Sequence, residues 1–209
     1  MDYSKLRNEM VKDQIEDRGI IDKRVLKVMQ EIPRELFVPE EIKRFAYEDN
    51  PLPIGSGQTI SQPYIVALMT ELLELRGDEN VLEIGAGSGY QAAVLSRLAK
   101  KVISIERIEE LTQRTKKLLA KLGYKNIIVV HGDGTKGYAK EAPYDAIIVT
   151  AAAEKISEKL IEQLAENGRL VAPVGPRWHQ ELVRLRKKNN KLEEDYHGGV
   201  IFVPLIGEE

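Results

Sequence analysis

Short apolar runs alternate with amphipathic stretches over the second half of the chain. The runs are rich in β-branched residues, and such continuous runs are typical of parallel strands covered on both faces. They predict strands at 81–84, 102–106, 126–131, 145–149 and 169–172. The stretches between them predict helices at 90–99, 111–122 and 154–165. The alternation indicates an α/β fold with a doubly wound, mostly parallel sheet.

The first fifty residues show helical periodicity and precede the sheet. Apolar stripes predict a helix at 4–18 and a second at 23–32, for which Asp22 is the N-cap. The segment 33–39 begins and ends with proline, which predicts an extended linker, and a short helix is expected at 40–46. We expect these elements to form a helical cap beside the sheet.

Residues 50–63 are polar and rich in Pro and Gly, which predicts neither helix nor central strand. A loop of this length is either functional or disordered. Helical periodicity resumes at 64–75. In the tail, apolar residues partly alternate with charges, and Asn189-Asn190 offers a turn, so we expect an antiparallel ending to the sheet.

A single domain is expected over 1–209. Its predicted parts are an N-terminal helical cap (1–50), a loop and helix (51–79), a ligand-binding core (80–175) and antiparallel C-terminal strands (176–209).

Composition excludes several classes of protein. The chain has no cysteine, which excludes disulfides and suits a reducing compartment, so we expect a cytoplasmic protein. The stretch 4–18 is too charged for a secretory signal, and no apolar run approaches the roughly 20 residues that span a bilayer. A net charge of -2 argues against a nucleic-acid partner. The basic residues of the tail fit a solvated hairpin better than an RNA site.

The strand at 81–84 runs directly into a glycine loop, Gly85-Ala86-Gly87-Ser88-Gly89, and a helix follows. This order is typical of a Rossmann-like cradle that holds a cofactor at the carboxyl end of a parallel strand. Tyr90 stands where the dinucleotide fingerprint needs its third glycine. Glu83, just before the loop, would repel a diphosphate but suits a cofactor that carries an ammonium or sulfonium group.

Two more acidic residues follow the next two strands. Glu106 ends one strand, where a carboxylate can accept hydrogen bonds from both ribose hydroxyls. Asp133, between Gly132 and Gly134, follows the other and could accept from the exocyclic amine of adenine. With Glu83, these carboxylates predict a nucleoside with a cationic amino-acid tail. That description is S-adenosylmethionine, so we expect a methyltransferase of the class I fold.

Two kinds of methyl acceptor have no support in the sequence. Methyltransferases that act on the amino groups of bases often carry an Asn/Asp-Pro-Pro-aromatic tetrad after the fourth strand, and residues 150–153 lack it. The three histidines lack the spacing of metal ligands, so metal-assisted chemistry is not expected.

The loop 55–63 is the best candidate for the acceptor site. Its side chains suit hydrogen bonding to an oxyanion but are poor bases: Gln58, Thr59, Ser61 and Gln62. A carboxylate acceptor fits this lining because it is already ionised at pH 7 and needs no general base. The alternative is that Ser61 or Gln62 only caps the following helix.

Seven motifs spread over nearly the whole chain carry a family resemblance. They are PRELFVP at 33–39, GQTISQPY at 57–64, VLEIGAGSGY at 81–90, GDG at 132–134, PYDAI at 143–147, GRLVAPVG at 168–175 and VPL at 203–205. Together they resemble the protein-L-isoaspartate O-methyltransferase family in its microbial form. The second motif is much more specific than the glycine loop, which many methyltransferases share.

The resemblance implies repair of L-isoaspartyl residues by methylation of their free carboxylate. The ester then closes to a succinimide, which reopens partly to normal aspartate. The implied cofactor is S-adenosylmethionine, with S-adenosylhomocysteine as product and no metal. The implied partners are isoaspartyl proteins and peptides, and whether D-aspartyl sites are accepted stays open. We expect a monomer without membrane or nucleic-acid partners.

The resemblance also assigns site residues. It implies Ser61 as the catalytic residue at the acceptor carboxylate. The implied substrate-binding residues are Gln58, Thr59, Ile60 and Tyr64. The implied cofactor-binding residues are Glu83, Gly85, Ala86, Gly87, Gly89, Glu106, Arg107, Leu111, Gly132, Asp133 and Gly134. The chain departs from the family where many members have histidine and it has Ser56, and where animal members have histidine and it has Tyr64.

Two other functions stay open at this point. One is an S-adenosylmethionine-dependent O-methyltransferase that acts on a small-molecule carboxylate or hydroxyl, which the loop 57–61 disfavours. The other is a non-catalytic protein binder that kept the fold, which the intact cradle and loop disfavour. For the repair reaction, we expect the helices at 4–46 and the tail to form a groove that recognises peptide backbone more than side chains.

Overall fold

The computed structural model describes residues 1–207. Its α-helices are α1 (Tyr3–Glu9), α2 (Lys23–Glu31), α3 (Pro63–Leu72), α4 (Tyr90–Ser96), α5 (Glu109–Lys121) and α6 (Glu158–Glu162). Its strands are β1 (Leu52–Gly55), β2 (Gln58–Ile60), β3 (Asn80–Ile84), β4 (Lys101–Glu106), β5 (Ile127–His131), β6 (Tyr144–Val149), β7 (Leu164–Val174), β8 (Gln180–Lys188) and β9 (Lys191–Val200). None of these helices is long and apolar enough to cross a membrane.

Strands β3 to β9 form a seven-stranded sheet in the order β5-β4-β3-β6-β7-β8-β9. The first five strands in this order are parallel, whereas β8 pairs antiparallel with β7 and β9 pairs antiparallel with β8. The predicted doubly wound sheet with an antiparallel C-terminal ending is therefore confirmed. Because β3 has β4 on one side and β6 on the other, its carboxyl end is the topological switch point at which such sheets bind ligands.

Alternate strand residues enter hydrophobic cores on opposite faces of the sheet. Val81 belongs to a core shared with the N-terminal helices, α3 and α4, whereas Leu82 belongs to a core that includes Leu160 of α6. Both faces of the parallel strands are covered, which explains why their sequences are continuously apolar.

The N-terminal helical layer follows the predicted pattern closely. After α1 the chain continues through a π-helical turn at Met10–Ile15 and a 3₁₀ turn at Glu16–Arg18, and Gly19 ends it with a φ of +98°. Asp22 caps α2, because its side chain accepts a hydrogen bond from the backbone N–H of Arg24.

The prediction of an extended linker at 33–39 is wrong. Arg34–Phe37 forms a 3₁₀ helix, and a second 3₁₀ helix at Glu40–Phe45 occupies the place of the predicted short helix. The side chains of Arg34 and Phe37 are buried. Tertiary packing of these side chains overrides the extended preference that the flanking prolines suggest.

A β-hairpin lies where residues 50–63 predicted a loop. β1 and β2 pair antiparallel as a separate two-stranded sheet. The turn residues Ser56 and Gly57 have φ values of +50° and +69°, as in the two-residue turns that match the twist of paired strands. Leu52 and Ile54 on β1 are buried, and this burial holds the Pro/Gly-rich segment in order.

Two elements in the second half differ most from prediction in where they begin and end. The helix expected at 154–165 is reduced to α6, and the strand expected at 169–172 extends over all of β7. β7 pairs with a strand on each side, so pairing extends it beyond its apolar centre. The predicted turn at Asn189-Asn190 is confirmed, with φ values of +52° and +57°.

Candidate active site

A cavity lies at the carboxyl ends of β3, β4 and β6. Of the predicted site residues, its lining includes Gln58, Thr59, Gly85, Gly87, Glu106, Arg107 and Gly134. The C-terminal tail forms another wall of this cavity with residues 203–206. Two hydrogen bonds to Ala152 hold the tail there: the Ala152 N–H donates to the Val203 carbonyl at 2.8 Å, and the Leu205 N–H donates to the Ala152 carbonyl at 2.6 Å. The structure thus brings the glycine loop, the hairpin and the tail together at the switch point of the sheet.

Gly85 has two physical reasons to be glycine. Its φ is +100°, a conformation that other residues rarely adopt. A Cβ at this position would also overlap the Thr150 hydroxyl. That hydroxyl donates to the carbonyl oxygens of Gly85 at 2.8 Å and Ile84 at 3.0 Å. Thr150, the residue after β6, therefore fastens the end of β3 and the start of the glycine loop to the end of β6.

Glu106 holds the middle of the same loop. Its Oε2 accepts a hydrogen bond from the Gly87 N–H at 2.9 Å, and its Oε1 accepts from the Ile108 N–H at 2.9 Å. A carboxylate has about four acceptor positions, so this buried group retains two for a ligand in the cavity. Its contact with a pair of ribose hydroxyls stays a prediction.

Glu83 has a different environment from the one that its sequence position suggested. Its side chain is 0% exposed and accepts a hydrogen bond from the Ser104 hydroxyl. Its Oε1 has no hydrogen-bond partner among residues 1–207. Burial raises the pKa of this carboxyl group to about 8, so it is mostly protonated at neutral pH. Glu83 does not line the cavity, and its contact with a cationic cofactor tail stays a prediction.

Asp133 and Gly134 follow β5. The Asp133 carboxylate accepts hydrogen bonds from the backbone N–H of Thr135 at 2.9 Å and from its hydroxyl at 2.7 Å. It therefore shapes the turn, whereas Gly134 lines the cavity. A Cβ on Gly134 would overlap the side chain of Ile84, so glycine lets this turn approach β3 closely.

The other predicted cofactor residues lie behind this lining. Ala86 and Leu111 are buried, and Gly89 precedes α4 with a φ of +85°. The Gly132 N–H donates to the Glu106 carbonyl at 3.0 Å. These residues support the cradle, and their direct contact with a cofactor stays a prediction.

A second cavity of about 800 Å³ adjoins the first and contains Ser61 in its lining. Thr59 and Thr150 line both cavities, so the two spaces share a wall. On its outer side stand Trp178 and Ile201, which are 82% and 83% exposed. This cavity is therefore open to solvent on that side.

The structure contradicts the alternative that Ser61 or Gln62 caps α3. No side-chain cap comes from Gln62 at the N-cap position. Instead the carboxylate of Asp49 accepts hydrogen bonds from the Tyr64 N–H at 3.0 Å and from the Gln62 side-chain amide at 2.6 Å. The Ser61 side chain is therefore not required at the helix start.

Ile60 and Tyr64, two predicted substrate-binding residues, line neither cavity. Ile60 is buried. The guanidinium carbon of Arg18 lies 3.6 Å from the centroid of the Tyr64 ring. Both residues hold the segment around Ser61 in place, and their contact with substrate stays a prediction.

Comparison with known proteins identifies the family. Residues 5–209 match the family model described as protein-L-isoaspartate(D-aspartate) O-methyltransferase (PCMT). The chain belongs to this family.

Similar members of this methyltransferase family cover almost the whole chain. A protein-L-isoaspartate O-methyltransferase of Methanoculleus marisnigri is 60% identical over 202 residues, which are 97% of this chain and 92% of the relative. Protein-L-isoaspartate O-methyltransferase 1 of Syntrophobacter fumaroxidans is 56% identical over 208 residues, which are 100% of this chain and 97% of the relative.

Solved structures of the family share the fold. A protein-L-isoaspartate O-methyltransferase superposes with a TM-score of 0.87 at 33% identity, covering 96% of this chain and 66% of that one. A Plasmodium falciparum protein described as a protein-L-isoaspartate O-methyltransferase, solved with S-adenosyl-L-homocysteine, gives 0.84 at 27% identity, with 96% and 98% coverage.

Sequence reasoning about this methyltransferase missed three residues of the site. Thr150 braces the glycine loop, Asp49 caps α3, and the Arg34 guanidinium donates to the Ser61 carbonyl at 2.7 Å. Thr150 directly follows a predicted strand, a position that could have indicated it. Among residues 1–207, no cluster of three or more His, Cys, Asp or Glu side chains is placed to hold a metal ion.

Proposed function

We propose that the protein transfers a methyl group from S-adenosylmethionine to the free α-carboxylate of L-isoaspartyl residues in damaged proteins. The observation that carries this proposal is the pair of adjoining cavities, one with the glycine loop and Glu106, the other with Ser61. Family membership and the names of the similar relatives support it. A small-molecule acceptor is disfavoured because relatives that match the whole chain carry the protein-substrate name.

The first cavity fits the methyl donor by its chemistry. Glu106 accepts hydrogen bonds from the ribose hydroxyls, and Gly85 and Gly87 let the ligand approach the loop backbone. Gly134 lines the same cavity at the end of β5, where the adenine ring would lie. When bound, S-adenosylmethionine supplies a methyl group made electrophilic by its sulfonium centre, and S-adenosylhomocysteine is released. The product complex of the Plasmodium falciparum protein supports this assignment.

The second cavity places the acceptor without a general base. An α-carboxylate has a reference pKa near 3.5 and is ionised at neutral pH. In the proposed arrangement the Ser61 hydroxyl donates a hydrogen bond to one carboxylate oxygen, with Thr59 and Gln58 beside it. The other oxygen of the carboxylate then faces the wall that the two cavities share. The methyl donor would lie on the far side of that wall, in the first cavity. Catalysis is then chiefly proximity and orientation.

The methyl ester is the species that leads to repair. The peptide nitrogen that follows the isoaspartyl residue attacks the ester carbonyl, methanol leaves, and a succinimide forms. Hydrolysis of the ring gives either aspartate or isoaspartate, and repeated cycles convert the remaining isoaspartate.

Prolonged incubation with an isoaspartyl peptide tests the repair outcome. We expect the normal aspartyl peptide to accumulate in step with released methanol, as measured by chromatography. A peptide that stays isoaspartyl after many equivalents of donor are consumed would refute repair.

We further propose that the protein acts as a cytoplasmic monomer, in one domain over 1–209. Its partners would be isoaspartyl proteins and peptides, without nucleic acid or membrane. Support comes from the absence of cysteine and the net charge of -2. The exposed Trp178 and Ile201 stand where peptide residues flanking the acceptor would lie.

A further inference from the structure

Arg34 is a buried arginine that joins three segments around the acceptor site. Its side chain is 0% exposed. Nε donates to the Ala46 carbonyl at 2.8 Å, and Nη2 donates to the Ser61 carbonyl at 2.7 Å. The guanidinium carbon lies 4.9 Å from the ring centroid of Tyr90, the first residue of α4 after the glycine loop. One planar group therefore contacts the N-terminal layer, the acceptor segment and the cofactor cradle.

Burial of the positive charge of Arg34 costs free energy of desolvation, which a contact with only a structural role would not require. Burial lowers the pKa of Arg34 to about 10, so the group is still protonated at neutral pH. Its two hydrogen bonds run to neutral carbonyl oxygens, and Nη1 has no hydrogen-bond partner among residues 1–207. Attraction by groups such as the Asp49 carboxylate raises the pKa by less than burial lowers it. An apolar side chain of similar volume would fill such a site without the cost of desolvating a charge. The rigid fork of donors is what an apolar residue cannot supply.

We propose that Arg34 is a positioning residue, which sets the place of Ser61 relative to the glycine loop and so aligns the acceptor carboxylate with the methyl donor. This inference rests on the proposed function. The guanidinium holds the carbonyl of Ser61 on one side and lies over the ring of Tyr90 on the other, while Ser61 is part of the lining of the second cavity. Methyl transfer between two bound molecules is sensitive to small displacements, since an error of about 1 Å can cost about 100-fold in rate.

Arg34→Lys is the informative substitution, because it keeps the charge but loses the fork that spans both carbonyl groups. We expect kcat with an isoaspartyl peptide to fall about tenfold or more, while the Kd for S-adenosylmethionine stays close to that of the unsubstituted protein. Arg169→Lys is the matched control. The Arg169 side chain also donates to backbone carbonyls, those of Leu73 at 2.7 Å, Glu74 at 2.9 Å and Asn167 at 3.3 Å, but it lines neither cavity.

A double-mutant cycle with Ser61→Ala separates positioning from general destabilisation. If Arg34 acts through Ser61, Arg34→Lys should lower kcat little further in the Ser61→Ala background. Arg169→Lys should lower the thermal midpoint and leave kcat nearly unchanged in both backgrounds. Independent, multiplicative effects of Arg34→Lys and Ser61→Ala on kcat would overturn the positioning role. So would equal kcat losses in Arg34→Lys and Arg169→Lys.

The unsubstituted protein is assayed first with the same isoaspartyl peptide. No methyl transfer at all would overturn the proposed function. Normal transfer combined with independent effects in the cycle would overturn only the inference about Arg34.

Discussion

Replacing Gly85 by alanine tests how the glycine loop is held at the switch point of the sheet. Alanine at a φ of +100° costs about 1–2 kcal/mol in backbone strain. The added Cβ would also displace the Thr150 hydroxyl, whose hydrogen bonds to the Ile84 and Gly85 carbonyls contribute about 0.5–1.5 kcal/mol. The expected loss in the free energy of unfolding is therefore about 1.5–3.5 kcal/mol.

Gly123→Ala supplies the matched control. Gly123 has a φ of +81°, but a Cβ there would meet no atom within 4 Å, so this substitution should cost only the strain of about 1–2 kcal/mol. Urea unfolding followed by circular dichroism measures both variants. Titration with S-adenosylmethionine should show weaker binding for Gly85→Ala and no change for Gly123→Ala. Equal losses of stability in the two variants would refute the role given to Thr150.

Three further predictions follow from the cavities and from the buried carboxyl group. Ser61→Ala should lower kcat/KM for an isoaspartyl peptide about tenfold with nearly unchanged donor affinity; equal loss of both would refute its role. Glu106→Ala should raise the Kd for S-adenosylmethionine about 10- to 100-fold, and an unchanged Kd by calorimetry would contradict the ribose contact. Glu83 has its pKa raised from 4.5 to about 8 in the folded state, so the folded protein binds more protons than the unfolded chain between these values. Stability should therefore fall as the pH rises from 4.5 to 8, and Glu83→Gln should flatten this fall in denaturant titrations; parallel pH profiles would count against the buried, protonated carboxyl group.

The sheet could be predicted from the sequence because its strands are covered on both faces. Leu82 and Ile147 lie side by side in register and are both buried, and each belongs to an apolar run that is visible without a structure. The ends of these strands also indicated Gly85 and Glu106, since the carboxyl ends of parallel strands meet at one edge.

Segments whose structure depends on distant contacts could not be predicted in the same way. The 3₁₀ helix at Arg34–Phe37 forms because Arg34 reaches carbonyl groups of Ala46 and Ser61. The hairpin of β1 and β2 forms because Ile54 is buried. Local propensity indicates neither the hydrogen bonds of Arg34 nor the burial of Ile54. It favoured an extended chain at 33–39 and a loop at 50–63.

Glu83 shows a third limit of sequence reasoning. A strand places successive side chains on opposite faces, so a residue next to a loop can point away from the ligand edge. Its neighbour Ile84 lines the cavity, whereas the carboxyl group of Glu83 is buried beside Ser104. The position of Glu83 in the sequence indicated that it lies near the ligand-binding edge of the sheet, but not on which face of the sheet its side chain lies.

The most direct measurement is the transfer of a radiolabelled methyl group to two peptides that differ only in one residue, isoaspartyl in one and normal aspartyl in the other. The isoaspartyl α-carboxylate, attached directly to Cα of a backbone that is one methylene longer, should reach Ser61 with the peptide in the open cavity. The normal aspartyl carboxylate stands one methylene away from Cα on a backbone of ordinary length. We therefore predict base-labile label in the isoaspartyl peptide and little or none in its twin. Equal labelling of the two peptides would contradict the repair function.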